Sequence, residues 1–163
     1  MADTPSDDVP LAHVARAAKA VGLELILIGN AGAALHGAPV TTLDIDFMFR
    51  DTPRNLEKVK LFAARLGAAV TMPAEPLSDV RRLVGLPVDV DLVTHISSGA
   101  RFESLKSRAV AKDVAGERVL VASLDDIIAA KRAAGRPKDL AVLPILESTA
   151  RVLAAMADGE RGE

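Results

Sequence analysis

The sequence predicts an α/β domain in which a small mixed β-sheet is flanked by helices. Three observations carry that prediction. A nearly continuous apolar run at residues 23–28 ends in Gly29 and opens into an alanine-rich stretch, the pattern of a buried strand feeding a helix. Runs at 42–49 and 88–94 alternate apolar residues with aspartates, the period-two signature of strands. Around them lie segments of helical apolar periodicity, bounded by capping residues and glycines.

Taken in order, residues 1–8 form a polar, acidic leader. Asp8 is a candidate cap for a first helix with Pro10 in its first turn. Leu11, Val14, Ala15, Ala18 and Val21 share one face of that helix, and Gly22 ends it. The strand at 23–28 follows, then a turn and short helix over 29–37, then the aspartate strand at 42–49. Thr52-Pro53 starts a helix whose buried face is Leu56, Val59, Phe62, Ala63 and Leu66, and Gly67 stops it. A short strand is expected at 68–72, a two-proline loop at 73–78, and strands at 79–84 and 88–94 joined through Gly85-Leu86-Pro87. A short helix at 102–109 precedes a hairpin, 110–113 with 118–121, turning at Ala115-Gly116-Glu117. Ser123 opens a helix that Gly135 closes. Pro137 begins the last helix, with Leu140, Leu143, Ile145, Leu146 and Val152 as its expected buried side. The organisation is a leader (1–8), one domain (9–157) and a charged tail (158–163).

Composition narrows the function. With 163 residues, half of them apolar, the chain can bury a single sizeable core and is not disordered. Twenty basic against 22 acidic residues give a net charge of −2, which argues against a strongly basic nucleic-acid surface. The absence of cysteine excludes disulfides, thiolate catalysis and cysteine-bound zinc. Without Trp or Tyr, extensive base stacking on aromatic platforms is disfavoured. The acidic N-terminus carries no signal-peptide pattern and the apolar runs are interrupted short of a membrane span. The expectation is a soluble, cytoplasmic protein with no membrane partner.

The chemistry concentrates on Asp44 and Asp46. Alternation puts both on one strand face, with Leu43, Ile45, Phe47 and Phe49 on the other. Burying two unpaired carboxylates is costly, and a divalent cation would satisfy both. The helix entered at Gly29 and Asn30 would offer free backbone N–H groups to an anion. A metal site beside a phosphate site is the layout of phosphoryl transfer. A third acid could come from the second aspartate strand, Asp91 or alternatively Asp89, since two-metal sites clamp both reacting oxygens. Each residue also has a plain reading: solvated strand-end acids, a packing turn at Gly29, a surface Lys131, and an Arg136–Asp139 pair of little weight. His36 reads as a helix C-terminal residue, and His13 and His95 lack metal-ligand spacing.

The ordered set of Gly29-Asn30, Ala33-Ala34-Leu35-His36-Gly37, Thr41-Thr42-Leu43-Asp44-Ile45-Asp46, a later strand acid, and the stretch from Ser123 to Asp139 resembles the nucleotidyltransferase superfamily of polymerase-beta type. The finer similarity is to small proteins of the AbiEii toxin group, over residues 20–146. The resemblance implies a minimal nucleotidyltransferase domain that moves a nucleoside monophosphate from a nucleoside triphosphate to an acceptor hydroxyl. It implies Asp44, Asp46 and Asp91 as catalytic metal ligands for Mg2+ or Mn2+, with Asp91 also the base. It implies triphosphate contacts from Gly29 and Asn30, and Lys131 and Arg136 near the nucleotide. The acceptor could be tRNA or another RNA, a partner protein, or a small molecule such as an aminoglycoside, and an antitoxin-like partner is conceivable. Asn30 departs from the family's Gly or Ser, and an arginine found after the turn in some minimal members is missing. The competing readings are a catalytically degenerate nucleotide- or partner-binding protein and a purely structural domain.

Overall fold

A computed structural model describes residues 9–72 and 79–162. The expected leader, the cap at Asp8 and the loop at 73–78 lie outside the described residues.

Capping chemistry sets the helix ends. Helix α1 (Pro10–Val21) carries its proline at the first turn and stops at left-handed Gly22. Thr52 accepts a hydrogen bond from the Asn55 amide at 3.1 Å and starts α3 (Pro53–Leu66), which ends at left-handed Gly67. Ser123 caps α5 (Leu124–Ala134) through the Asp126 amide at 3.1 Å, and Gly135 ends it. Helices α2 (Gly29–Leu35) and α4 (Phe102–Arg108) are short, and α6 (Pro137–Arg161) is long.

The strands are β1 (Ile26–Ile28), β2 (Asp44–Met48), β3 (Ala69–Thr71), β4 (Arg81–Val84), β5 (Asp89–Val93), β6 (Val110–Val114) and β7 (Glu117–Val121). They form one mixed sheet in the order β3-β4-β5-β2-β1-β7-β6. Strand β2 runs antiparallel to β1 and parallel to β5, and β1 runs parallel to β7. The fold is thus α/β, a mixed sheet flanked by helices. One sheet face (Leu27, Ile45, Phe47, Leu83, Val90, Leu92) packs under α1 and α3. The other, with Ile26 and Met48, packs with Ala33, Phe102, Leu105, Ile127, Leu143 and Leu146 from the remaining helices. Strand alternation therefore places Asp44 and Asp46 on the second face.

Three expectations need correction. The strand expected from residue 23 starts at Ile26, because the Leu23 amide closes the end of α1 on the Ala18 carbonyl at 2.9 Å. Leu43 is 82% exposed rather than facing the core, because β2 begins one residue later. On α6 only Leu143 and Leu146 of the expected buried set are buried; Leu140, Ile145 and Val152 are exposed. Only the first half of α6 packs on the domain. It then continues as helix to Arg161, within the expected tail, and residues 151–161 are all exposed. By length and composition α6 also meets the requirement for a membrane crossing, since Glu147 and Arg151 interrupt its apolar run only twice.

Candidate active site

Asp44 and Asp46 project from β2 and Asp91 from β5. The parallel register pairs Asp44 with Asp89 and Asp46 with Asp91, so all four lie on one sheet face. Asp89 is exposed at the start of β5, whereas Asp91 is buried. Asp44, Asp46 and Asp91 line an open cleft of about 570 Å³, and Asp89 does not. The geometry therefore favours Asp91 over Asp89 as the third acid.

The Asp46 carboxyl is strongly perturbed. Burial, then the like charges of Asp91 and Asp44, push its carboxyl from 3.8 up to about 6. Lys131 and Lys138 offset part of that rise. Gly29, at the end of β1, sits against Asp46: a Cβ placed there would lie 2.7 Å from Asp46 Oδ2, and its φ is +65°. Glycine is required twice over, by the backbone angle and by the closeness of the carboxylate. The first turn of α2 has no side-chain cap. Asn30 is not part of the cleft lining, and its Oδ1 is buried without a hydrogen-bond partner.

Lys131, Arg136, Lys138 and Asp139 also line the cleft. Asp139 is 1% exposed. It accepts from Arg136 Nε at 2.6 Å, from Arg136 Nη2 at 3.2 Å and from the Arg136 amide at 3.2 Å. Lys131 Nζ lies 3.8 Å away. Burial alone would raise the Asp139 carboxyl, but the Arg136 hydrogen bond and the charges of Arg136 and Lys131 hold it below its ordinary value. Burial lowers the Lys131 ammonium, against the pull of Asp139 and Asp46. The Arg136–Asp139 pair is thus a helix-start anchor in which a buried carboxylate is held by an exposed guanidinium.

The cleft also holds residues that sequence reasoning missed. Arg82 of β4 lies opposite Asp91 in antiparallel register and forks onto it, Nε to Oδ1 at 2.8 Å and Nη2 to Oδ2 at 2.9 Å. His95 lines the cleft and shares its Nδ1 with Asp79 and Thr94, each at 3.0 Å. Only cross-strand register could have exposed Arg82, and nothing in the sequence gives the register of β4 on β5.

Among the described residues no three acids or histidines form a ready-made metal cluster. The donor chemistry nonetheless fits a hard divalent cation. Asp44 and Asp46 supply carboxylate oxygens, and Asp46 is half-buried beside like charge with too little compensation from the chain.

No family model matches the chain and no curated protein matches its sequence. Solved structures do match. The antibiotic-resistance factor ANT(2″)-Ia is 17% identical, with TM-score 0.61 over 94% of this chain and 91% of that one. The lincosamide antibiotic adenylyltransferase LnuA, solved with lincomycin, is 11% identical, with TM-score 0.62 over 86% and 96%. A Thermotoga maritima protein assigned as a nucleotidyltransferase is 17% identical, with TM-score 0.60 over 82% and 88%. These likenesses show that the chain has the fold of the nucleotidyltransferase superfamily. The finer resemblance to the AbiEii group has no counterpart among them.

Proposed function

We propose that the protein is a magnesium-dependent nucleotidyltransferase that moves a nucleoside monophosphate from a nucleoside triphosphate to the hydroxyl of a small-molecule acceptor. One observation carries the reading: Asp46 and Asp91 stand in register on adjacent parallel strands, with Gly29 against Asp46 and with Lys131 and Arg136 lining the same cleft. The fold supports it, and a small-molecule acceptor is supported by ANT(2″)-Ia, solved with adenylyl-2″-tobramycin, and by lincomycin-bound LnuA. The slight net negative charge disfavours a long RNA.

In this reading Asp44, Asp46 and Asp91 hold Mg2+ or Mn2+, which would neutralise phosphate charge when bound. The backbone at Gly29 lets the triphosphate approach, and Lys131 and Arg136 balance its charge. Asp91 takes the proton of the acceptor hydroxyl as that oxygen bonds to the α-phosphorus and pyrophosphate leaves. Positioning and charge neutralisation suffice, since phosphoryl transfer needs little covalent help. We place this activity in the cytoplasm, where nucleoside triphosphates are abundant.

The test is incubation with each α-labelled nucleoside triphosphate, Mg2+ and separate panels of aminoglycosides, lincosamides, bulk tRNA and cell proteins. Label on a small molecule, lost in Asp46→Ala, is expected. Label on tRNA or protein instead would favour a toxin-like role with an antitoxin-like partner. Transfer unaffected by Asp46→Ala would overturn the site. A second reading, nucleotide binding without turnover, is favoured by Asn30, whose buried Oδ1 is unpartnered, and by the engagement of Asp91 with Arg82. Metal-dependent nucleotide binding with no transfer in any panel would establish it.

A further inference from the structure

We propose that Arg82 is a positioning residue that competes with the divalent cation for Asp91 and yields it when a nucleoside triphosphate enters. The inference rests on the nucleotidyltransferase reading of the site. Its ground is the fork itself. Arg82 uses two donors to occupy both oxygens of Asp91, at 2.8 and 2.9 Å. Those are the oxygens a third metal-binding carboxylate must present.

The contact is not an incidental surface pair. The antiparallel register sets Arg82 opposite Asp91, and the parallel register sets Asp91 beside Asp46. Asp91 has 12% of its side chain exposed, so it has little water to fall back on. Asp89 and Asp44 also act on the Arg82 guanidinium. Arg82 is therefore the cation through which the chain itself balances the acidic cluster on the β5 side.

A guanidinium and a hard divalent cation at one carboxylate repel each other. Arg82 must then weaken metal binding while no nucleotide is present. Its side chain is 42% exposed and lines the cleft, so it can leave Asp91 without crossing packed core. A triphosphate brings the anion that the guanidinium prefers, because arginine forks onto phosphate as readily as onto carboxylate. Arg82 turning from Asp91 to a phosphate oxygen frees Asp91 for metal and for the acceptor proton. Metal and nucleotide then bind with positive coupling, and linkage makes the coupling reciprocal. Neither ligand alone assembles the site, which limits idle hydrolysis of nucleotide.

The experiment measures Mn2+ affinity by electron paramagnetic resonance, with and without a non-hydrolysable nucleoside triphosphate, for wild type, Arg82→Gln and Arg82→Lys. Wild type should bind Mn2+ roughly tenfold more tightly with nucleotide than without, a factor within the usual range of coupling between sites. Arg82→Gln should bind Mn2+ alone severalfold more tightly than wild type does, with the gain from nucleotide correspondingly reduced. Arg82→Lys, which keeps the charge but not the fork, should fall between and decides the matter if Arg82→Gln does not fold. Mn2+ affinity in the absence of nucleotide that is unchanged or weaker in both variants, or in Arg82→Lys alone where Arg82→Gln does not fold, would overturn the inference while leaving the nucleotidyltransferase reading intact. No Mn2+ binding by wild type, with or without nucleotide, would overturn both.

Discussion

Asp46 and Asp139 line one cleft, and the chain treats them in opposite ways. Asp139 is almost wholly buried but receives three hydrogen bonds from Arg136 and the nearby charge of Lys131, which together outweigh its burial. Asp46 is half-buried against two further acids, and Lys131 and Lys138 offset only part of the rise, so its carboxyl climbs to about 6. The difference separates an acid that anchors the fold from one that the proposed function gives to a ligand. A carboxylate with its donors supplied is an anchor. One left short of positive charge, against a glycine that must be glycine, is set to receive charge from outside the chain.

The largest effect expected from this contrast falls on the anchor. Asp139→Asn should destabilise the protein by about 3 kcal/mol, toward the lower end for a broken buried pair because Arg136 is 59% exposed. Chemical denaturation measures it, and the stabilisation by added Mg2+ should survive. Asp46→Asn should act in the reverse sense, stabilising the metal-free protein at pH 7 by about 2 kcal/mol. That is less than the full cost of moving the carboxyl from 3.8 to about 6, since solvent screens part of it.

The same carboxyl sets a pH dependence. An acid raised in the folded state contributes stability below its unfolded value and loses it as pH rises through the folded one. Metal-free protein should therefore lose stability between pH 3.8 and about 6 on account of Asp46, a slope absent in Asp46→Asn. Asp139 contributes in the opposite sense, keeping its stabilisation above the ordinary carboxylate value and losing it only at lower pH. A smaller effect is expected at Gly29→Ala, roughly 1–2 kcal/mol for the left-handed backbone, with loss of the metal response because the new methyl meets Asp46. The smallest is expected at exposed Asp89, where Asp89→Asn should change stability by less than about 0.5 kcal/mol and leave metal binding as it was.

Much of the fold was legible because it is written in local chemistry. Thr52-Pro53, Gly67, Ser123 and Gly135 mark helix ends through capping that needs no tertiary partner. The aspartate alternation at Asp44 and Asp46 was legible for the same reason, and Asp91 followed as the acid of a second such strand. What the sequence does not show is pairing. Arg82 meets Asp91 only through the register of β4 on β5, and Asp139 becomes a buried anchor only when α6 docks on α5. Periodicity also misjudged α6. Leu140, Ile145 and Val152 carry the residue types of a buried face, but whether a face is buried depends on what covers it.

The most direct test of the contrast is thermal unfolding of wild type and Asp46→Asn at pH 7.5, titrated with MgCl2 in the presence of each nucleoside triphosphate. Wild type should be stabilised, by about 2.7 kcal/mol once the ligand reaches roughly 100 times its dissociation constant. Asp46→Asn should start more stable and respond to neither metal nor nucleotide. Equal responses from the two proteins, or a variant that starts less stable than wild type, would contradict the assignment of Asp46 as the carboxylate held ready for a cation.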